Sequence, residues 1–373
     1  MTSRLEELIA ELCPNGVEYK VLGELCNICT GKLNANAKDE DGIYPFFTCD
    51  ANPYKINEYA FDTSAILISG NGSQVGHLNQ YEGKFNAYQR TYVLDNFKLV
   101  IKPFLFHFMD AYLKPYIMVN CKKGSVPYIT LPMLQSFNVP VPPLEVQREI
   151  VRILDSFTLL TAELTAELTA RSKQYEYYRD ALLTFDDNNP LHSLISRYCP
   201  NGVEYKTLKE ILTIKNGRDY KHLQEGKYPV YGSGGIMTYV SECTYAEHSV
   251  LIPRKGSINK IYYVDEPFWN VDTIFYTIIR KTIAIPKYVY FCLLKEHLER
   301  YNTAGGVPSL TQSVLNDVTI PIPPLEVQCQ IVQILDRFDA LCNDLTQGLP
   351  AEIEARRKQY EYYRDQFLTF KRA

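Results

Sequence analysis

The sequence predicts a mixed α/β protein built from two copies of one module, and two observations carry that prediction. Three motifs occur twice in the same order, which places one module at residues 5–185 and the other at 191–370. Each copy also combines short β-rich runs with a long segment of heptad-spaced apolar residues. A repeat of roughly 185 residues is far longer than a solenoid unit. We therefore expect two whole domains.

The repeated motifs are identical in both copies, but the modules agree unevenly between them. The motifs begin at Cys13 and Cys199 (CPNGVEYK), Pro142 and Pro323 (PPLEVQ), and Lys173 and Lys358 (KQYEYYRD). Residues 140–160 and 321–341 share 14 of 21 positions, whereas residues 66–92 and 250–276 share only 7 of 27. One part of each module therefore meets the same surroundings twice, while the other part meets two different ones.

Each module is expected to open with a short amphipathic helix, at residues 5–12 and 191–195, that a Cys-Pro-Asn-Gly turn ends. A globular region of about 120 residues follows, punctuated by Gly, Pro and Asn. Its predicted strands are Ala65–Ser69, Tyr88–Leu94, Ser249–Pro253 and Thr273–Ile279.

Proline-rich hinges lead from each globular region into a long helix. Apolar residues recur at steps of three and four from Ile150 to Leu182, over about five heptads. The second copy has the same seam, with Leu345 in it, but carries four extra residues, and we expect its helix to break at 348–350. The economical arrangement pairs the two helices antiparallel with a globular domain at each end. The alternative is that each helix packs on its own domain.

These features divide the chain into four regions, two globular and two helical. They are residues 1–139, the first globular domain with its N-terminal helix; 140–185, a central helical region; 186–320, the second globular domain; and 321–373, a C-terminal helical region.

Composition excludes several classes of protein. No apolar run approaches the length of a membrane span, and the start of the chain lacks a signal-peptide core, so we expect a cytoplasmic protein. Among the ten cysteines, one close pair occurs, Cys26 and Cys29, but neither a second pair nor histidines at ligand spacing complete a zinc site, so we expect no metal site. Neither a phosphate-binding GxxxxGK[ST] nor a dinucleotide fingerprint is present, so we expect no catalysis by this chain. A net charge of −4 by itself argues against nucleic-acid binding. The argument weakens because many acidic residues lie in the predicted helices, and local charge matters more than net charge.

Polar and basic residues beside positions shared by the two modules are the candidates for contacts with DNA. Asn and Gln suit adenine, whereas Arg and Lys suit guanine, so the equivalent loops of the two modules favour different bases. For each residue, the alternative is a solvated polar turn. The first-module candidates are Lys32, Asn34, Asn71, Ser73, Gln74, His77, Gln89, Arg90, Lys122 and Lys123. The second-module candidates are Arg218, Tyr220, Tyr231, Ser233, Arg254, Lys255, Ser257, Asn259 and Lys260.

From end to end, the layout resembles the specificity subunit of type I restriction-modification systems. The resemblance rests on the doubled CPNGVEYK, on PPLEVQ leading into IVxILD and a Phe, on the TAELTAEL of residues 161–168, and on the doubled KQYEYYRD. It implies two target recognition domains that each read one half of a bipartite double-stranded DNA target, held apart by antiparallel helices.

The resemblance also implies partners. Two methylation subunits would carry S-adenosylmethionine, and restriction subunits would carry ATP and Mg, while the specificity subunit has no active site. Helices of about 40 residues span about 60 Å, so the helices would set the unread spacer of the target. The repeated helix ends would dock the methylation subunits through Tyr175, Tyr178, Arg179, Tyr360, Tyr363 and Arg364. The alternatives are a methylation-only complex and a stand-alone DNA-binding scaffold.

Overall fold

The computed structural model describes residues 3–121, 127–302 and 305–373. The chain divides into two compact units. Unit 1 comprises residues 1–164 and 353–373, and unit 2 comprises residues 165–352. Among the described residues, no helix has both the length and the apolar content needed to cross a bilayer.

Unit 1 is a mixed α/β unit. Its elements are α1 (Ser3–Leu12), β1 (Glu18–Val21), α2 (Leu22–Leu25), β2 (Asn27–Thr30), β3 (Tyr44–Phe47), β4 (Tyr54–Ile56), β5 (Phe61–Ser69), β6 (Leu78–Ala87), β7 (Thr91–Asp95), α3 (Lys102–Asn120), α4 (Leu131–Gln135), β8 (Asn138–Val141), the first part of α5 (Leu144–Leu182) and most of α11 (Leu349–Phe367). In this described part, six strands form one sheet in the order β2-β7-β5-β6-β3-β4, and β1 pairs with β8.

Successive side chains of β5 point to alternate faces of the large sheet, and both faces are buried. Ile66 and Ile68 pack in the main core of the unit, which includes Phe104 of α3. Leu67, on the opposite face, packs with Phe85 in a second, smaller core. Successive side chains of a strand point to opposite faces, so the apolar run AILI can serve both cores.

Unit 2 has a related set of elements, but its described strands form a four-stranded and a three-stranded sheet in place of the six-stranded one. Its elements are the second part of α5, α6 (His192–Tyr198), β9 (Tyr205–Thr207), α7 (Leu208–Ile211), β10 (Leu212–Asn216), β11 (Glu225–Gly232), β12 (Gly235–Val240), β13 (Ser249–Pro253), β14 (Tyr262–Val264), β15 (Trp269–Asn270), β16 (Ile274–Ile279), α8 (Pro286–Lys295), α9 (Gln312–Asn316), β17 (Thr319–Pro321), α10 (Leu325–Asn343) and the start of α11 (Leu349–Phe367). The described strands pair in the orders β10-β16-β13-β14, β12-β11-β15 and β17-β9.

The mixed α/β class and the two-module organisation predicted from the sequence are confirmed. The strand predictions hold except at Thr273, which lies just before β16, and at residues 88–90, which form the turn between β6 and β7, where Thr91 N donates to Tyr88 O at 2.9 Å. The prediction of a strand over Tyr88–Leu94 was therefore three residues too long. Its apolar pattern does not distinguish a tight turn from the strand that follows it.

The PPLEVQ motif is repeated because its glutamine makes the same internal contacts in both units. Gln147 is fully buried, accepts from Ile101 N at 2.9 Å and donates to Leu99 O and Pro142 O, both at 2.8 Å. Gln328 is also fully buried and contacts Ile285 N, Ile283 O and Pro323 O in the same way. The motif thus fastens the loop before α3 or α8 to the hinge, because buried backbone groups require partners.

The two long helices differ in continuity. Helix α5 runs unbroken for 39 residues, whereas α10 ends at Asn343 and α11 begins at Leu349. The break occupies residues 344–348, so it begins four residues before the predicted 348–350; Leu349 and Pro350 already belong to α11, where a proline fits the first turn. Within the break, the carboxylate of Asp344 accepts from Thr346 N at 2.7 Å. Placing Leu345 in the apolar seam was wrong, since this side chain is 80% exposed. It lies in the turn, where the heptad spacing no longer applies.

Within unit 2, α5 and α10 run antiparallel. Tyr178 stacks on Phe338, with ring centroids 5.3 Å apart. One turn and a half earlier on α5, Ser172 contacts Cys342, which lies after Phe338 on α10. Contacts that advance along one helix while receding along the other define an antiparallel pair.

Candidate nucleic-acid interface

Three polar segments of unit 1 converge at one end of its large sheet, where β2 and β5 end and β7 begins. Gln89 N donates to Leu33 O, and Gln89 Nε2 donates to Asn34 Oδ1, both at 2.9 Å. Arg90 O accepts from Gly70 N at 2.9 Å, next to Asn71. These contacts bring together four side chains that were predicted separately. We call Asn34, Asn71, Gln89 and Arg90 the unit-1 patch.

A cavity of about 310 Å³ opens beside the unit-1 patch, lined by Thr30, Gly70, Gln89, Arg90, Tyr92, Tyr128 and Ile129. Tyr92 lies inside, where its hydroxyl donates to Ile129 O at 3.0 Å and burial raises its pKa. Tyr128 is 39% exposed, and its backbone pairs with that of Asn71. Tyr92 therefore forms part of the buried wall of the cavity, and the exposed Tyr128 lies at its border.

Glycine allows the loops that carry Lys32 and Arg218 to lie against the sheet. A Cβ on Gly31 would stand 1.8 Å from Ala87 O, and one on Gly217 would stand 2.1 Å from Val271 O. Neither distance is possible for a real side chain. Lys32 and Arg218 follow these glycines and are exposed, so the two loops present a cation at the same place in each module.

The candidate residues of the loop after β5 lie in two separate places. Asn71 joins the unit-1 patch, where its carbonyl oxygen accepts from Cys49 Sγ at 3.0 Å. Gln74 and His77 instead line a separate cavity of about 240 Å³ beside α3. Ser73 is exposed at the loop tip. The predicted contacts of Lys122 and Lys123 fall outside the described residues.

In unit 2, Thr273 connects the segments that carry the predicted residues. Its carbonyl oxygen accepts from Arg254 N at 2.8 Å and from Lys255 N at 3.4 Å. Its hydroxyl accepts from Ser233 N at 3.4 Å. We call Ser233, Arg254, Lys255 and Thr273 the unit-2 patch.

The remaining unit-2 candidates divide between the surface and the core. Asn259 and Lys260 are exposed, whereas Ser257 is half-buried. Tyr220 packs against the small apolar cluster around Val230. Tyr231 packs on Phe268, and burial raises its pKa to about 12. The two tyrosines therefore have packing roles.

The cations of both regions remain available to phosphates. In the part of the chain that the structure describes, Lys32, Arg90, Arg218, Arg254, Lys255 and Lys260 form no ion pair with a carboxylate. Several other lysines and arginines do, such as Lys281 with Glu247 at 2.7 Å. Unpaired cations can displace the counterions of a nucleic acid without first breaking a protein contact.

The predicted docking tyrosines of the helix ends pack mainly inside their own units. Tyr175 is buried, which raises its pKa, and Tyr178 stacks on Phe338. Tyr360 contacts His107 Nδ1 at 3.1 Å, and burial raises its pKa to about 12. Tyr363 stacks on two phenylalanines.

The arginines of the repeated motif are held by neighbouring carboxylates. Arg179 donates to Asp180 at 2.9 Å, and Arg364 donates to Asp365 at 2.9 Å and to Asp110 at 3.5 Å. Of the motif tyrosines, the exposed ones are Tyr177, at 69%, and Tyr362, at 65%. These two rings are absent from the six predicted docking residues.

The sequence did not single out Tyr128, which borders the cavity beside the unit-1 patch, or Thr273, which belongs to the unit-2 patch. A signal existed for both. Thr273 occupies the position of Gln89 in the gapless alignment of the two modules, and Tyr128 follows a Val-Pro pair that recurs at 307–308. The doubled Val-Pro lies before the residues that pair with the β5 and β13 loops, since Ile129 N donates to Gly70 O and Leu310 N to Arg254 O.

The fold and the doubled motifs define a protein of two related modules that carry different polar patches, and sequence comparison identifies its class. The family model described as "Type I restriction modification DNA specificity domain" matches residues 14–171 and again 200–355. The chain therefore belongs to this family.

Individual relatives and structures agree with that assignment. A protein of Haemophilus influenzae named as a type I restriction enzyme specificity subunit is 31% identical over 95% of this chain and 96% of its own length. The EcoR124I/EcoR124II specificity subunit of Escherichia coli is 35% identical over 62% of this chain and 61% of its own. The crystal structure of the Mycoplasma genitalium type I S subunit matches the fold with a TM-score of 0.66 at 17% identity, covering 95% of this chain and 97% of that one.

Proposed function

We propose that this specificity subunit reads a two-part double-stranded DNA target, with the unit-1 patch reading one half and the unit-2 patch reading the other. The observation that carries the proposal is the pairing of one scaffold with two side-chain sets. Gly70 O and Arg254 O accept the same backbone hydrogen bond, from Ile129 and Leu310. Around Gly70 the unit-1 patch combines three side-chain amides with Arg90, whereas the unit-2 patch combines two cations, Arg254 and Lys255, with two hydroxyl side chains.

The chemistry of the two sets favours different bases. The side-chain amides of Asn34, Asn71 and Gln89 each combine a donor and an acceptor, which matches the major-groove edge of adenine. Arg254 and Lys255 offer donors only, which match the N7 and O6 acceptors of guanine. Two such sets on one chain specify an asymmetric target.

The reaction itself is assigned to partner subunits. Two methylation subunits that carry S-adenosylmethionine would transfer methyl groups to adenine, and restriction subunits with ATP and Mg would translocate and cleave DNA. The described residues gather no cluster of three or more His, Cys, Asp or Glu side chains that could hold a metal ion. The exposed Tyr177 and Tyr362 are the docking residues that we assign to the two methylation subunits.

The test is the mapping of methylated adenines in cells that express the chain with its methylation subunit. Asn71→Ala should relax or change one half of the target, and Arg254→Ala should relax or change the other half only. Lys209→Ala removes an exposed cation outside both patches and serves as the matched control. Changes in both halves from either variant, or none from both, would refute the assignment.

A further inference from the structure

The two identical copies of CPNGVEYK have different surroundings. In unit 1, Val17 N donates to Lys371 O at 2.9 Å, and Ala373 N donates to Val17 O at 3.0 Å. Val17 thus forms a parallel bridge with Arg372. The C-terminal tail, residues 370–373, lies as an extra extended segment along the start of β1.

Side chains reinforce this pairing. The hydroxyl of Tyr19 donates to Phe370 O at 3.1 Å, and the guanidinium of Arg372 lies 5.0 Å from the centre of the Tyr19 ring. A cation over an aromatic face is attracted by the ring quadrupole. A Cβ on Gly16 would stand 2.5 Å from Lys371 O, so glycine is what lets the tail approach. With the tail in place, Val17 is only 4% exposed.

In unit 2 the same residues lack such a segment. Val203 is half-buried, Tyr205 is 58% exposed, and nothing described lies within 4 Å of a Cβ built on Gly202. Glu204 O accepts from Ile322 N at 2.7 Å on the β17 side. Backbone groups alternate along a strand, so the N–H and C=O of Val203 point to the opposite edge. Among the described residues, they have no hydrogen-bond partner there.

The chain therefore supplies two such edges and a single tail. A second copy of the chain would bring two more edges with its one tail, so self-association cannot fill them all. We propose that the edge formed by Val203 and Tyr205 is a docking site for an extended segment of a different polypeptide. That segment carries an aromatic residue followed two positions later by a basic residue, as Phe370 and Arg372 do.

The binding mode is strand addition. Main-chain hydrogen bonds to Val203 provide the sequence-independent part of the affinity. The Tyr205 hydroxyl binds a backbone carbonyl of the segment, and the Tyr205 ring attracts its basic side chain, as Tyr19 does with Phe370 O and Arg372. An unpaired strand edge attracts extended chains. Because this edge is short, it accepts a segment of a few residues. The proposal does not depend on which DNA bases the patches read.

The probe is a labelled peptide, LTFKRA, which is the sequence of residues 368–373, titrated into the full-length chain with fluorescence anisotropy as the readout. We expect saturable binding of one peptide per chain. Binding should weaken at least about tenfold in Tyr205→Ala, because the ring and the hydroxyl contribute most of the side-chain contact. Tyr205 is exposed, so its loss leaves the fold intact. The matched variant Tyr19→Ala should leave the binding at unit 2 unchanged.

Hydrogen exchange of the same complexes locates the peptide. The peptide should protect the amide of Val203, and a peptide with Glu in place of Arg should bind at least about tenfold more weakly. Four results would overturn the proposal: absence of saturable binding, undiminished binding to Tyr205→Ala, protection of Val17 in place of Val203, or dimerisation of the chain through its own tail in sedimentation.

Discussion

Phe157 of α5 stacks on Tyr363 of α11 in unit 1, with ring centroids 5.5 Å apart and ring planes inclined by 19°. Unit 2 holds the equivalent pair, Phe338 with Tyr178, at 5.3 Å and 23°. Each pair joins the PPLEVQ helix of one repeat to the KQYEYYRD motif of the other. The motifs are identical in the two copies because each must complete the other copy's unit.

Loss of either stack should destabilise the unit that contains it. Phe157→Ala should lower the free energy of unfolding by about 2 kcal/mol, below the range for a fully buried Phe because the ring is half-buried. A double-mutant cycle with Tyr363→Ala should give a coupling of about 0.5–1.5 kcal/mol, as stacked rings do. Urea denaturation measures both values. Tyr362→Ala, on an exposed ring, is the control, and an equal loss there would contradict a specific stack.

Replacing Gln147 or Gln328 with Met should cost about 2–3 kcal/mol at each site, because the volume is kept while three buried backbone groups lose their partner. Both side chains are fully buried. Urea denaturation with hydrogen exchange around residues 99–101 and 283–285 detects the loss and its location. Gln366→Met, on an exposed position of α11, should be neutral. Stability unchanged in both buried variants would mean that the motif is repeated for another reason.

The contribution of Glu149 to stability should depend on pH. Arg152 donates two hydrogen bonds to this carboxylate, at 2.7 and 2.9 Å, which holds the pKa of Glu149 below its ordinary value of 4.5. A lowered folded-state pKa stabilises the protein above pH 4.5, and this stabilisation is lost as the pH falls through the folded pKa. Because Arg152 is 56% exposed, the expected loss is about 0.5–1 kcal/mol.

The measurement compares wild type with Glu149→Gln from pH 7 to pH 3. Unit 2 has Gln330 at the equivalent position, so the variant imports a residue that the fold already accepts. The difference in stability should be present at pH 7 and should vanish at low pH. A stability difference between the two proteins that grows as the pH falls would contradict a lowered pKa of Glu149 in the folded state.

The tetrapeptide repeat of residues 161–168 should set the spacer of the DNA target. One added TAEL copy lengthens α5 by about 6 Å, which compares with 3.4 Å per base-pair step. We expect the unread spacer to grow by about one or two base pairs, with both half-sites unchanged. Methylome sequencing reads this directly. Thr165→Ala, which keeps the length of α5, should leave the spacer unchanged. An unchanged spacer in the insertion variant would contradict the prediction that α5 sets the spacer length.

The duplication made the two modules, the hinge positions and the helical seams predictable. Phe157 and Tyr178 were placed on one seam from spacing alone, and they lie on the packed face of α5. What the sequence did not reveal depends on side chains reaching across elements. Two of the backbone groups that bind Gln147 belong to Leu99 and Ile101, just before α3, and are distant from Gln147 in the sequence. Thr273 binds the Arg254 segment through its backbone carbonyl, a group that every residue has.

The tail pairing of residues 370–373 was also unpredictable, because strand addition uses backbone groups that leave no residue pattern. The recognition residues were only partly predictable for a similar reason. Asn71 and Gln74 are three residues apart, yet Asn71 contacts Cys49 in the unit-1 patch, whereas Gln74 lines the cavity beside α3. The loop turns between them at Gly72, whose φ is +83°.

A graft of one recognition region into both modules tests the central claim most directly. Residues 21–138 would replace residues 207–319, because Val21 pairs with Asn138 as Thr207 pairs with Thr319. The adenine methylation map of cells expressing this chain with its methylation subunit should show a palindromic target, in which the half-site of unit 1 appears twice in inverted orientation. Retention of the original asymmetric target would contradict the account.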